Sequence, residues 1–228
     1  MKLTVIAGCA LLTTGFGTAP QPMLPVASES SSSPSALPGV GERTVQSGPA
    51  ANANWRDVLY PQDQDAIGSI DQVWRAVLRQ AREHGHSAQL QALGAVVRPE
   101  NDRSNGSMPQ TGSYRCRSIQ LGSTTGGLTF VSYPWFTCRI GSARGRPTLT
   151  KTTGSQRTQG TIFPNGSSGI YAGAQAWGDD ETTFGLYGDE DRRDDFGVVQ
   201  RLGNGHWRVV SPRPRQGGLL NILELRRN

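Results

Sequence analysis

Two cysteines, Cys116 and Cys138, each stand beside arginines, and their type and setting suggest three kinds of chemistry. A cysteine can be a nucleophile, a metal ligand or half of a disulfide. A nucleophile needs a nearby base, and no sequence context marks His84, His86 or His206 as one. A metal site needs more ligands than two distant cysteines and scattered histidines. We therefore expect a Cys116–Cys138 disulfide, with no catalytic residue, no metal and no other cofactor.

Strand alternation separates these cysteines from their arginine neighbours. Side chains alternate between the two faces of a strand, so Cys116 lies opposite Arg115 and Arg117. Cys138 shares its face with Phe136, which makes the disulfide side the expected core. The reverse face combines arginines with aromatic rings, which suits stacking and anion contacts. The sequence predicts a ligand or partner surface there, and the alternative is a solvated face whose arginines pair with acids. The predicted surface consists of Arg115, Arg117, Tyr133, Trp135, Arg139, Gln156 and Arg157.

Carboxylates form two further candidate sites. Glu224 interrupts the apolar run "LLNILELRR", and a buried glutamate needs a charged partner or a raised pKa. We expect a structural ion pair with one of Arg115, Arg117 or Arg139 rather than a catalytic carboxylate. The acidic run from Asp189 to Asp195 lacks the spacing of a calcium loop and contains two arginines, so a polar loop is expected.

The first 19 residues have the form of a secretory signal, with one early lysine before an uncharged, mostly apolar run. Two cleavage modes remain open. "VIAGC" resembles a lipobox that would acylate Cys9, although few residues precede it; ordinary cleavage near Ala19 or Ala27 is the alternative. Residues 20–53 are rich in Ser and Pro and predict a disordered tether. We expect an extracytoplasmic protein of the periplasm or envelope that contacts a membrane only through such a lipid anchor.

Residues 54–228 are expected to form one globular domain of the α+β class that is mainly β. Apolar spacing from Asp63 to Ala81, and again from Leu90 to Val97, predicts an N-terminal helical hairpin over 55–98. The rest, 111–227, predicts an antiparallel barrel or sandwich of about eight or nine strands with one disulfide. "GNG" in "RLGNGHWRVV" predicts a hairpin. The expected strands are 113–121, 128–140, 147–152, 157–163, 169–177, 182–187, 196–202, 206–211 and 219–226.

Charge excludes one broad function class. The formal net charge is +5 and the pI about 9.5, but acids and bases are interleaved along the chain. Nucleic-acid binders concentrate their basic residues in one stripe, so nucleic acid is not an expected partner. We expect a monomer that binds an unknown envelope protein or a small anionic ligand.

Several motifs together resemble the bacterial family called domain of unknown function 4893. In order, they are "GSYRCR", "YPWFTCRI", "LTKTTGSQR", "GTIFP", "DRRDDFGVVQRLG", "WRVVSPRP" and "NILEL". The resemblance extends over Trp55–Arg227. It implies an exported bacterial protein with paired cysteines and no assigned activity. β content, paired cysteines and export also resemble small disulfide-bonded barrels that inhibit secreted metalloproteases, a likeness of fold alone.

These observations favour an exported cell-envelope protein that works as a non-enzymatic binding or interaction module. Two alternatives stay open. An envelope-acting hydrolase would use Glu224 or an aspartate of the acidic run as acid or base. An inhibitor of a secreted protease would present a protruding, ordered N-terminal segment or loop. The sequence contains no G-x-S-x-G, H-E-x-x-H or P-loop motif that would favour an enzyme.

Overall fold

The computed structural model describes residues 52–178, 180–181 and 183–228. The predicted signal segment, the Cys9 acylation site and most of the predicted tether lie outside these ranges. Short helices come first and strands follow. The α-helices are α1 (Trp55–Val58), α2 (Pro61–Gly68), α3 (Ile70–Glu83) and α4 (Ser87–Leu93), and 3-10 turns occupy Gly94–Val97, Pro99–Asn101 and Asp191–Arg193. The strands are β1 (Gly112–Leu121), β2 (Phe130–Ser132), β3 (Phe136–Ala143), β4 (Arg146–Lys151), β5 (Gln156–Asn165), β6 (Ser168–Trp177), β7 (Asp194–Gly203), β8 (His206–Pro212) and β9 (Leu220–Arg227).

Eight of these strands close into an antiparallel barrel, which confirms the mainly β prediction and decides between barrel and sandwich. Neighbours pair in the order β1, β3, β4, β5, β6, β7, β8 and β9. The ring closes because β9 pairs back with β1, from Tyr114 opposite Arg227 to Leu121 opposite Leu220. The hairpin predicted from "GNG" joins β7 to β8. Closure leaves these eight strands without free edges.

The ninth strand, β2, lies outside the ring. β3 pairs with residues 112–116 of β1, and β2 pairs with residues 119–121 on the same side. The continuous strand predicted over 128–140 is therefore wrong: the chain leaves the sheet between Ser132 and Phe136, where Pro134 lacks the N–H that a ladder needs. The strand predicted over 182–187 is also wrong, because its described residues form a loop and a turn.

Apolar side chains fill one half of the barrel interior around the disulfide. The Cys116–Cys138 bridge is present, with Cα atoms 5.8 Å apart, and both residues are fully buried. The disulfide prediction is thus confirmed, and the bridge lies on the core side of its strands. The buried residues packed with it are Tyr114, Ile140, Leu149, Ile162, Tyr171, Val199, Trp207, Val209 and Leu225.

The helices cover the outer wall of the barrel. The apolar stripe of α3, which includes Trp74, packs on the outer side of β1, β8 and β9. The single helix predicted from Asp63 onward is two helices, because the chain turns at Ser69 after α2. Asp63 does not cap a helix; it is buried, accepts a hydrogen bond from the Tyr187 hydroxyl and pairs with Arg215. Among the described helices, none combines the length and apolar character needed to cross a membrane.

Arg208 connects the barrel wall to the helical layer. Its side chain is fully buried, 4.5 Å above the Trp74 ring. Its guanidinium donates to the carbonyl oxygens of Ala95, Val96, Arg98 and Pro99 at 2.8–3.3 Å, and to the Gln200 side chain. The carbonyls of Ala95, Arg98 and Pro99 each also accept one backbone N–H, so the guanidinium is their second donor. The Val96 carbonyl receives its donor from Arg208.

Candidate functional site

Trp135 lies between two arginines on the outer face of the barrel. The guanidinium carbons of Arg115 and Arg117 are each 4.7 Å from its ring centroid. The residue is 37% exposed, so the ring remains accessible beside the two cations. Cation–π contacts of this kind orient both partners and keep the aromatic side chain rigid. The structure therefore brings together three members of the predicted surface.

Positive charge surrounds this tryptophan. Arg226 of β9 lies directly opposite Arg115 of β1, an arrangement of like charges that disfavours a sheet. Arg139 of β3 is exposed one diagonal position away on the same face. We call the surface formed by Arg115, Arg117, Trp135, Arg139 and Arg226 the arginine–tryptophan face.

Glu224 is the acid at the edge of this face. It is fully buried; one carboxylate oxygen lies 2.6 Å from Arg117 Nε, and the other lies 2.9 Å from His206 Nε2 and 2.8 Å from Arg226 Nε. Burial alone raises the pKa of the Glu224 carboxyl, but hydrogen bonds from His206, Arg226 and Arg117 outweigh it and lower that pKa to about 2. Both oxygens are engaged, so the carboxylate holds the wall together and is not available as an acid or base.

The other half of the barrel interior is polar. The inward-facing residues there carry hydroxyl, amide or charged groups, although the same strands carry apolar residues around the disulfide. A small barrel with no internal ligand is normally filled with apolar side chains along its length. This polar end comprises Ser118, Gln120, Lys151, Gln156, Thr158, Gln175, Asp195, Ser211 and Asn221.

Asp195 lies deep in the polar end. Its carboxylate accepts a hydrogen bond of 2.7 Å from Thr158, whose hydroxyl is 2.6 Å from that of Tyr171. Burial raises the pKa of the Asp195 carboxyl, and hydrogen bonds from Thr158, Gln175 and Ser211 oppose that rise. Asp195 lines an inner cavity of about 60 Å³. That volume is about that of two water molecules in the liquid.

A wider cavity of about 150 Å³ opens at the mouth beside it. Lys151, Ser118 and Gln156 line both cavities, so Lys151 stands between the mouth and the interior. Lys151 is only 5% exposed. Its Nζ donates to the Gln156 carbonyl oxygen at 2.5 Å and lies 4.2 Å above the Phe136 ring. We call this the mouth cavity; its lining residues are Ser118, Tyr133, Phe136, Lys151, Ser155 and Gln156.

The remaining predicted surface residues are divided between different places. Tyr133 turns away from Trp135 into the mouth cavity, where its hydroxyl lies 3.3 Å from the Gln120 side chain. Gln156 also reaches the mouth cavity, and its amide donates to Gln216. Arg157 donates to the carbonyl oxygens of Gly178 and Glu181. The predicted surface is thus two neighbouring sites rather than one.

Sequence reasoning missed Lys151, although a signal was present. Only Lys2 and Lys151 are lysines in a chain with 23 basic residues. Lys151 follows the buried Leu149 by two positions in β4, so alternation places both on the inner side. The lone lysine at an inward position of a barrel strand therefore indicated a charged group inside the barrel.

The acidic run is a polar loop whose carboxylates point to different partners. Asp189 accepts from the Leu186 N–H, Asp194 from the Gly188 N–H, and Glu190 pairs with Arg193 at 3.5 Å. Asp195 instead faces the barrel interior. Across the described ranges, no group of three or more His, Cys, Asp or Glu residues is placed to hold a metal ion.

A groove of about 580 Å³ lies on the outer wall of the barrel at β4, β5 and β6. Thr148, Thr150 and Thr161 line its floor, and Arg144 and Arg146 line its rim. Arg146 donates to the Ala53 carbonyl oxygen, so the start of the described chain crosses this rim. None of the residues predicted for the ligand surface lines this groove.

Comparison with family models gives one match: residues 55–225 match the model described as Domain of unknown function (DUF4893). Neither the curated proteins nor the solved structures contain a match. The matched region runs from the first turn of α1 into β9, and so includes the helical layer, nearly all of the barrel, the mouth cavity and every residue of the arginine–tryptophan face except Arg226. The match extends over well more than half of the chain, and the chain therefore belongs to the DUF4893 family.

Proposed function

We propose that this protein is exported to the cell envelope and acts there, as a monomer, by binding an acidic segment of another envelope protein. The arginine–tryptophan face is the proposed docking surface. The observation that carries the proposal is Trp135, which is 37% exposed and has two guanidinium carbons 4.7 Å from its ring centroid. Tryptophan and arginine are the residues most often responsible for binding energy at protein interfaces.

Charge and exposed apolar surface support an acidic protein partner. The four arginines of the arginine–tryptophan face and the carboxylate of Glu224 together give a net charge of about +3 at neutral pH. In the described part of the chain, the exposed large apolar residues are Leu128, Tyr133 and Trp135, all within one short segment. Of these three, Trp135 belongs to the arginine–tryptophan face and gives it an exposed apolar group. Acidic groups would meet the arginines while apolar groups cover the ring.

Export is proposed from the N-terminal sequence, which lies outside the described residues, and the disulfide is consistent with an oxidising compartment. Either cleavage mode, with or without acylation of Cys9, is compatible with this function. The hydrolase alternative has less support, because Glu224 is fully engaged by cations. The inhibitor alternative depends on an N-terminal segment that the described residues do not include.

Charge removal tests the proposal first. We expect an Arg115→Gln/Arg139→Gln variant to lose an acidic partner that the wild type captures from envelope extract, as measured by quantitative mass spectrometry. The matched control is Arg75→Gln/Arg79→Gln, which removes the same charge from exposed positions on α3. The control should keep the partner, and its binding should weaken as salt screens the charges. The same partner, in equal amount, on all three proteins would contradict the proposal.

Trp135→Ala tests whether the ring itself contributes. This change leaves the net charge unaltered, so general attraction to a basic protein would persist. We expect at least a tenfold weaker affinity for the captured partner, since an interface hot spot contributes about 2 kcal/mol or more. Titration with the purified partner measures this loss. An affinity within about twofold of the wild type would remove the ring from the interface.

A further inference from the structure

The lining of the mouth cavity consists almost entirely of hydrogen-bond donors. Lys151 contributes an ammonium, Gln156 an amide, and Ser118, Tyr133 and Ser155 contribute hydroxyls. The Ser118 and Ser155 hydroxyls make no hydrogen bond to any other described residue, so both can bind a guest. No aspartate or glutamate lines this cavity. Such a set of donors without acids is complementary to an anion.

Lys151 carries a charge that the surrounding protein does not neutralise. Within the described chain it forms no ion pair with a carboxylate, and its contacts are one carbonyl oxygen and the Phe136 ring. Burial, and then the positive charge of Arg157, lowers the pKa of the Lys151 ammonium to about 8. The side chain is therefore still mostly charged at neutral pH. A buried charge without a counter-charge is costly, and such costs are typical of functional sites.

We propose that the mouth cavity binds a small oxyanion, with Lys151 as its counter-charge. The ligand is either free inorganic phosphate or the carboxylate of a small organic acid, since both present oxygen acceptors to an ammonium and hydroxyls. A volume of about 150 Å³ accommodates a group of this size. The site lies inside the barrel mouth, so it is distinct from the arginine–tryptophan face and does not depend on the proposed function.

The charged groups around Lys151 keep the anion in the mouth cavity. Asp195 lines only the inner cavity, where its carboxyl would repel an anion. Arg157 adds a second positive charge on the wall of that inner cavity. Its Nε is buried and has no hydrogen-bond partner among the described residues. The Lys151 ammonium, which lines both cavities, is thus the cation that an anion in the mouth cavity contacts, and Arg157 adds positive charge behind it.

Gly154 shapes the entrance. Its φ of +87° favours glycine, and a Cβ there would lie 2.8 Å from the Phe136 ring and 3.3 Å from Lys151 Nζ. The turn after β4 can therefore lie close to Phe136 without a side chain entering the mouth cavity. A glycine is required here for the space beside the ammonium to stay open.

Selective labelling of lysine with ¹³C at Cε gives a direct test, because Lys151 is the only lysine beyond Lys2. We expect inorganic phosphate or acetate to move the Lys151 titration midpoint upward from about 8, relative to sodium chloride at equal ionic strength. At a saturating anion concentration, a rise of one pH unit means that the anion binds about tenfold more tightly when Lys151 is charged than when it is neutral. A response to phosphate alone identifies phosphate as the class, and a response to acetate identifies a carboxylate. No response to either anion would overturn the proposal.

The Lys151→Met variant provides a second test of anion binding. An apolar side chain of similar length should leave the barrel folded, and its melting temperature should match or exceed that of the wild type. The anion that shifts the midpoint should also raise the wild-type melting temperature, since it binds the native state. We expect Lys151→Met to lose this increase and the control Arg79→Gln, at an exposed position on α3, to keep it. An undiminished increase in Lys151→Met would overturn the proposal.

Discussion

Glu224→Gln lowers the free energy of unfolding at neutral pH by an expected 3 kcal/mol or so, because removing one partner of a buried pair leaves the others uncompensated. The glutamine keeps the shape of the side chain but loses the charge that Arg117 and Arg226 share. Urea titration of wild type and variant measures the difference. The exposed pair Arg79–Glu83, 4.0 Å apart, supplies the control. Glu83→Gln should change the free energy of unfolding by no more than about 0.5 kcal/mol.

The Glu224 effect has a defined pH dependence. The pKa of this carboxyl is about 2 in the folded protein and 4.5 is its ordinary value, so between these values the unfolded chain binds more protons. Stability therefore rises with pH through that window, and the contribution is fully present above it. We expect the urea midpoints of wild type and Glu224→Gln to converge as pH falls from 4.5 towards 2. A constant gap across this range would show that the charge of Glu224 is not the cause.

Arg208→Met is expected to cost about 4 kcal/mol, because a methionine removes the charged donor from several carbonyl oxygens and leaves that of Val96 with no donor among the described residues. The affected carbonyls belong to Ala95, Val96 and Arg98, and all three accept from one guanidinium nitrogen, Nη1, at 2.8–3.0 Å. Burial is the main influence on the Arg208 guanidinium and lowers its pKa to about 10, so it remains charged at neutral pH. Urea titration measures the loss, and hydrogen exchange should increase most in residues 94–101.

Two comparisons make the Arg208 experiment specific. Arg208→Lys should recover only part of the loss, since an ammonium cannot reach carbonyls spread around a planar guanidinium. Arg79→Met makes the same chemical change at an exposed position on α3 and should cost about 0.5 kcal/mol or less. Equal stability of Arg208→Met and wild type would mean that packing against Trp74, rather than the carbonyl contacts, holds the helical layer.

Alternation along regular strands was sufficient to predict one side of the site. Cys116 and Arg115 lie in the uninterrupted strand β1. The alternation of side chains along that strand therefore predicted an inner position for the disulfide and an outer position for the arginines. Glu224 lies directly opposite Arg117 in the β1–β9 ladder, and that pairing joins an acid to one of the three arginines considered for it. In both cases the local rule worked because the backbone is regular.

The alternation rule gave a wrong prediction where the backbone is irregular. Tyr133 and Trp135 were predicted to share a face, but they belong to the link between β2 and β3, where the chain is not in the sheet. Their side chains consequently point to different sites. The polar end of the barrel could not be predicted either, because it joins residues from β1 and from each of β4 to β9, whose proximity depends on closure. No local pattern contains the information that Asp195 and Lys151 line one cavity.

The return of β9 to β1 also determines when this protein can fold. The ring is completed by residues 220–227, which pair with β1 residues that lie 99 to 113 positions earlier in the chain. Contacts this distant in sequence carry a large entropic cost and give slow folding, on the order of milliseconds to seconds. Until the last strand has been made, β1 and β8 each expose an edge that another chain could pair with. Deletion of β9, residues 220–227, should therefore produce an aggregating chain rather than a smaller barrel, and synthesis of this strand becomes a condition for a correctly folded product.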